Sequence, residues 1–486
     1  MKNFKFSSLW LVPLFAILAA CGGGGGSSST ATPATATLKS IAITIPSSTI
    51  PIGSSQTMTA TGTYSDGSTK ALGSATNLVW TTKSGGTTVA QVFSSGKVTG
   101  IGVGTETINA AQEGITGTIT LTITAPWTMV SAGGFQTIAR KADGNLYAWG
   151  QNNWGQLGDS STTPRNAPVQ VNAGAGTTAW KMVSVGDQFA VGIRAGSSTG
   201  TTASTGGTLW AWGYNQNGQL GDGTQTNRSV PVLIGKDTDW VYVSAGKSHV
   251  LAIKASGIMY AWGRNSEGQL GDGTTVGKLV PTKIGAALWL TVSAGGTHSL
   301  GLQKDGSLYT WGGNSDGQLG NASTGSNVSA PVKIGSATYT AVSAGALHSM
   351  AIGANGTLWG WGSNSYGQVG NNAGTGSGIT APTQITQDSN WAVIAAGAIH
   401  TMGVRTDGTL WGWGSNAEGQ LGDGNGDALA PVQIGNLSNW VTVSVGTGHS
   451  FGLKADNTLW GWGRNQEGQL GNGKNTLSTT PVNVPN

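Results

Sequence analysis

The ten-residue string W-G-x-N-x-x-G-Q-[LV]-G recurs seven times between Trp149 and Gly471, and this repetition constrains the fold more than any other feature of the chain. The seven strings open at Trp149, Trp212, Trp262, Trp311, Trp361, Trp413 and Trp462, with spacings of 63, 50, 49, 50, 52 and 49 residues. A second string, clearest as V-S-A-G-x-x-H-S, precedes each of them. Self-similarity at a period of about 50 residues marks an array of identical supersecondary units. Each unit is too small to bury its own apolar face, so each must stack on its neighbours.

The unit from Trp240 to Gly285 shows what is being repeated. Val241–Ser244, Val250–Ile253 and Ile258–Trp262 read as strands, and Pro281–Ile284 supplies a short fourth. Asp143-Gly144, Asp305-Gly306, Asn355-Gly356 and Asp407-Gly408 join second to third strands and have the composition of two-residue hairpin turns. Nothing here has helical periodicity. Seven units of four short strands predict an all-β chain whose residues 126–486 form a seven-bladed β-propeller. The strand opening at Trp127 and the last one, Pro481–Val484, are expected to share a blade and so clasp the ring. The sole cysteine, Cys21, lies far outside the ring, so no disulfide can close it.

These two strings resemble those of the regulator of chromosome condensation repeat family, over about 360 of the 486 residues. The resemblance implies the propeller fold. It does not carry one activity with it, because propellers of this kind include a guanine-nucleotide exchange factor that also binds nucleosomes, and secreted binding modules such as β-lactamase inhibitors. The exchange factor uses a projecting hairpin wedge. The one long insertion here, Ala195 to Thr208, is rich in Gly, Ser and Thr and reads as a flexible loop instead.

The chain before the repeats has three parts. Lys2 and Lys5 followed by the apolar run Leu9–Ala20 have the form of a signal peptide, residues 1–20, and the run is too short to span a bilayer as a mature helix. Leu18-Ala19-Ala20-Cys21 resembles a bacterial lipobox, which implies cleavage before Cys21 and acylation of its thiol. Several acyl chains anchor stably where one would be marginal. Residues 21–37 hold no apolar side chain larger than alanine after Cys21 and read as a tether. Residues 38–125 alternate β-branched with small or polar residues, as in Ile41–Ile45 and Ile119–Ile123, and predict a small β-sandwich. LKSIAIT, Tyr64–Ser68, Trp80 and Gly96–Thr105 resemble a bacterial immunoglobulin-like domain of group 2, a family of stalks and adhesive modules. The expected location is outside the cytoplasm, at the outer membrane or cell surface of a bacterium.

Charge excludes one class of partner. Only 9% of residues are charged, against about 25% in an average chain. The formal +4 falls to +2 once Lys2 and Lys5 are removed, so no basic stripe exists to neutralise phosphates and nucleic acid is not expected. The chemistry of catalysis is also missing from the pattern. No serine sits in a nucleophile elbow, no His or Cys group has zinc spacing, and Asp222, Asp272 and Asp423, like the turn residues Asp143, Asp305 and Asp407, stand where Asp serves local backbone. No enzyme activity, cofactor or metal is expected.

All five histidines, His249, His298, His348, His400 and His449, occupy one repeat position, where the first two units carry Gln136 and Phe189. Five imidazoles lining a channel could titrate or bind metal. A residue that recurs once per unit is more simply structural, each histidine bonding to backbone in its own blade, and the seven motif tryptophans are read as blade core. Recognition is then expected where the units differ. The free positions of W-G-x-N-x-x-G hold Trp154, Tyr214, Arg264, Glu267, Tyr366, Glu418, Arg464 and Glu467. Aromatic residues and arginine dominate interface energetics, and loops on a rigid ring present them well. The reading is a lipid-anchored, extracytoplasmic protein-binding or adhesion protein whose partner is a surface or envelope protein. An enzyme inhibitor using the same face, an exchange factor and a carbohydrate-acting head are the alternatives.

Overall fold

A computed structural model describes residues 35–73, 77–85, 88–172, 179–196, 206–373, 376 and 378–486. The expected signal peptide, Cys21 and most of the tether lie outside these residues. Among the described residues all regular structure is β, and no helix is long and apolar enough to cross a membrane.

Residues 38–124 form ten strands in three small sheets. The longest hairpin pairs Gly104–Gln112 with Ile115–Thr124, and both strands alternate buried and exposed positions as their sequences do. Ile50, Met58, Val98, Ile108, Leu121 and Ile123 fill the main core. The Asp66-Gly67 turn forms as read, with Gly67 at positive φ and Asp66 Oδ1 accepting Ser68 N–H at 2.9 Å.

From Trp127 onward the chain builds seven four-stranded antiparallel blades. In blade 7 the strands are Trp440–Val445, His449–Lys454, Leu459–Gly463 and Ser478–Asn483, paired in that order. First strands line the central channel, because the Ala-Gly or Val-Gly pairs ending them surround one opening. In every blade the pairing of first and second strands slips one residue beside the opening aromatic residue, as between Trp440 and Thr442. Such bulges add local twist, which a blade needs to fan outward. At blades 3/4 and 4/5 one long strand, Lys278–Ala294 and then Val328–Ala344, serves as outer strand of one blade and inner strand of the next.

Closure differs from expectation. Trp127–Ala132 pairs with Gln136–Lys141 in blade 1, and Ser478–Asn483 pairs with Leu459–Gly463 in blade 7, so first and last strands do not share a blade. Each end of the repeat array already supplies four contiguous strands, and closure falls to side chains. Trp127, Val130 and Trp149 pack with Phe451, Leu453 and Leu470 in one core. Ser444 Oγ accepts Ala132 N–H at 2.9 Å, and Trp149 Nε1 donates to the Gln469 carbonyl at 2.8 Å.

Two local expectations also change. The loop assigned to Ala195–Thr208 is shorter, because Ala195 ends the strand Phe189–Ala195 and Gly207 begins the strand Gly207–Gly213; residues 197–205 lie outside those described. The Asp-Gly hairpins are three-residue turns rather than two-residue ones. Lys141 O accepts Gly144 N–H and Asn145 O accepts Lys141 N–H, and only the glycine has positive φ, as in a type I turn with a bulge. At Gly408 this conformation, φ +79°, coincides with crowding, since a Cβ would stand 2.3 Å from the Ser438 carbonyl oxygen. Gly408→Ala is therefore expected to lower unfolding free energy by more than the roughly 1–2 kcal/mol of left-handed strain. Gly235→Ala, at φ +67° with nothing within 4 Å, should lose only the strain. Urea midpoints compare the two, and equal losses would contradict the contact.

Candidate functional site

The fixed residues of the repeat are consumed in building the ring. In all seven loops the motif asparagine accepts the N–H of the Leu or Val five residues on, for instance Asn152 Oδ1 from Leu157 N–H at 2.9 Å. The motif glutamine likewise folds back onto the loop, Gln156 Oε1 accepting Trp154 N–H at 2.9 Å. The seven motif tryptophans are wholly buried. Six of them donate Nε1–H to the glutamine carbonyl of the preceding blade, as Trp311 does to Gln269 at 2.9 Å. Asp222, Asp272 and Asp423 each accept a backbone N–H two residues on.

The histidines are hydrogen-bonded by a route that differs from the one expected. None bonds through its side chain to backbone of its own blade. His249 Nε2 meets Ser299 Oγ of the next blade at 2.9 Å, and Ser299 Oγ donates to the Gln269 carbonyl at 2.8 Å. The relay repeats at His298–Ser349, His348–Thr401, His400–Ser450 and, across the closure of the ring, His449–Thr137 at 3.0 Å. Because each hydroxyl gives its one proton to a carbonyl, it accepts from the imidazole, which assigns the Nε2–H tautomer and leaves Nδ1 bare. Among the described residues those five Nδ1 atoms are buried without a partner, and burial holds each imidazole far below its ordinary value, at about 3. The imidazoles lie behind the channel wall, not on it.

Two junctions lack this relay, and both partners are missing together. Gln136 is followed in the next blade by Ala190 and Phe189 by Val250, so neither facing residue is a hydroxyl. Gln136 Nε2 instead donates to the Gly186 carbonyl at 3.2 Å, and Phe189 packs with Val250 in the core.

The variable loop positions all project from one end of the ring, because each follows a third strand and all seven third strands run the same way along the channel. The loop after each third strand touches the loop after the first strand of its own blade, as where Arg264 N–H donates to the Ser248 carbonyl at 2.9 Å. Trp154 of blade 1 reaches across a junction to Tyr214 of blade 2, ring centroids 5.2 Å apart, and remains 40% exposed. Arg464 forms ion pairs with Glu467 at 3.0 Å and with Glu418 of the preceding blade at 3.3 Å, and lies 5.0 Å above the Phe135 ring. Arg264 and Glu267 pair at 2.8 Å. Tyr366 stands apart from these groups, 45% exposed. The geometry thus gathers the eight expected residues on one face and joins seven of them into three clusters. It adds Phe135, Asp187 and Lys247, which sequence reasoning passed over although they too vary at a fixed repeat position, immediately after or one beyond the first-strand glycine.

Comparison with known proteins agrees with this architecture. The model of the RCC1-like domain matches residues 188–486, and that of the regulator of chromosome condensation (RCC1) repeat matches residues 143–193. Human E3 ubiquitin-protein ligase HERC2 is 32% identical over 101 residues, 21% of this chain and 2% of that protein. The ultraviolet-B receptor UVR8 of Arabidopsis thaliana is 32% identical over 105 residues, 22% of this chain and 21% of the receptor. The chain therefore spans only a small part of these relatives. Among solved structures, yeast RCC1 (Prp20) bound to Kap60 has a TM-score of 0.60 at 22% identity, covering 68% of this chain and 82% of that one. Human WBSCR16 has a TM-score of 0.61 at 22% identity, covering 70% and 94%. With a family model matching more than half its length and seven blades in place, the chain belongs to the RCC1-like domain family.

Proposed function

We propose that this propeller is a non-catalytic head that binds a protein through the end bearing the variable loops. The observation that carries the reading is the contrast between positions. Residues constant in all seven loops are buried and hydrogen-bonded within the ring, whereas Trp154, Tyr214, Tyr366 and the Arg464 cluster vary from blade to blade and sit on one rigid face. Anchors of this chemistry supply most of the energy of protein interfaces. Yeast RCC1, which shares the fold, is known bound to Kap60, and a protein partner suits this chain as well.

In this reading the head is held outside the cytoplasm. Cys21 carries the lipid, residues 22–37 are the tether, residues 38–125 are an immunoglobulin-like spacer, and the partner is a surface or envelope protein. Crosslinking on intact cells followed by pull-down of the full chain tests it, with the chain lacking residues 126–486 as control. A protein captured only when the propeller is present supports the reading. Equal capture by the headless chain would move the binding to the spacer, and a glycan array that bound the head at sub-micromolar concentration would replace the protein partner with a carbohydrate.

A further inference from the structure

At the centre of the same face the first strands end around an open funnel of about 390 Å³, within the range of ligand sites at about 300–1,000 Å³. Its wall is mostly glycine, alanine and valine, with at least one glycine from each blade between Gly133 and Gly446, joined by Phe135 and Thr447, and among the described residues its charged side chains are Asp187 and Lys247. Other blades carry Gly, Ala or Thr at this position, so the ring itself does not require an acid there.

Two features leave the funnel open to a positive charge. The first is Asp187. Among the described residues its carboxylate accepts no hydrogen bond, and burial raises it above the usual carboxylate range against the opposing pull of Lys247. A half-buried carboxylate without a hydrogen-bond donor is a group that a cation would satisfy. The second is the set of five bare imidazole nitrogens. A Cβ placed on Gly246, Gly295, Gly345, Gly397 or Gly446 would meet Nδ1 of that blade's histidine at 2.5–3.1 Å. Each ring thus turns its Cε1–Nδ1 edge toward the back of a funnel glycine, Cε1 being the nearer atom at 2.4–2.9 Å. The relay to the next blade fixes that orientation, and the five imidazoles, held neutral by burial, add no positive charge to the funnel.

The wall chemistry narrows the cation. Among the described residues no group of three or more His, Cys, Asp or Glu is arranged to hold a metal ion, and a C–H surface gives a hard cation no ligands. An alkyl stem ending in an ammonium or guanidinium fits both features. Lys247 does not fill the role: among the described residues it forms no ion pair with Asp187, and it is exposed, its long stem letting the charge reach water.

We propose that the funnel receives a lysine or arginine side chain from the docked protein, its charge against Asp187 and its stem along the glycine and alanine wall. This rests on the docking face proposed above and names the chemistry of its central contact. Lys247 then acts as a competitor whose charge weakens the site.

The test needs no identified partner. n-Butylammonium and n-propylguanidinium are titrated into the full mature chain labelled with ¹⁵N-glycine, with sodium acetate as the anionic control. Saturable shifts of the amides of Gly134, Gly186 and Gly246 with both cations and none with acetate are expected. Asp187→Asn should weaken binding at least tenfold and Lys247→Ala should tighten it severalfold, with thermal midpoints near the parent's. No saturable shift, equal affinity in Asp187→Asn, or a response to acetate in place of the cations would overturn the proposal. Partner capture by the intact head together with a silent funnel would remove the funnel and leave the docking face. Probe binding without any captured partner would do the reverse.

Discussion

Lowering the pH from 7 to 5 is expected to remove most of the propeller's stability. In the unfolded chain each histidine titrates near 6.5, while in the ring burial holds all five at about 3. Between those values the unfolded state binds more protons, so unfolding free energy falls as the pH drops through 6.5. At pH 5 the loss is about 2 kcal/mol per histidine, on the order of 10 kcal/mol for five, which rivals the roughly 5–15 kcal/mol of a whole domain. Asp187, raised by burial, works in the opposite sense but is one group against five. The carboxylates held low by hydrogen bonds, such as Asp159 and Asp222, lose their contribution only at still lower pH. Urea midpoints at pH 8, 7, 6 and 5 check this. They should be level down to about pH 7 and then fall steeply; constant midpoints to pH 5 would show that the imidazoles are not held neutral.

The second large effect is at the closing junction. Thr137→Val removes the acceptor of His449 Nε2–H inside a dry core, and leaving a buried donor unmet costs about 1–3 kcal/mol. The Gln469 carbonyl keeps its bond from Trp149, so the penalty falls on the imidazole. Replacing both partners, His449→Phe with Thr137→Val, reproduces the apolar arrangement that Phe189 and Val250 already form between blades 2 and 3. The double variant is expected to recover to within about 1 kcal/mol of the parent at pH 7, since exchanging both members of a buried polar pair is nearly neutral. It should also lose one histidine's share of the acid sensitivity, reducing the steepest slope by up to about 1.4 kcal/mol per pH unit. Additive losses in the two single variants and the double would contradict the relay.

The origin of these effects explains what could be read from the sequence and what could not. Blade number, strand positions and the buried tryptophans follow from repetition, because each is a property of one unit copied seven times. The relay is a property of the interval between units. His449 and Thr137 are 312 residues apart, and nothing within either unit pairs them. A signal did exist one unit out of register, since every histidine is followed by a Ser or Thr in the next unit and the two units without histidine are followed by Ala190 and Val250. The same logic accounts for ring closure, where a shared blade was expected and side-chain contacts between complete blades were found.

The candidate face was legible to the same degree. Its loop positions could be placed on one end from the motif alone. The pairing of Trp154 with Tyr214 and the seat of Arg464 on Phe135 could not, because both cross a junction. Asp187 carried no such signal, because it lies just after a glycine of the second string, outside the loop motif, in a unit where Phe189 stands in place of the histidine.

The most direct test of the account is capture of the crosslinked partner by a full chain carrying Trp154→Ala, Tyr214→Ala and Tyr366→Ala together. These side chains are exposed or half-buried and lie outside the junction cores, so the thermal midpoint should stay close to that of the parent. Loss of capture at an unchanged midpoint is the predicted result. Undiminished capture would contradict the claim that recognition is written where the seven copies differ.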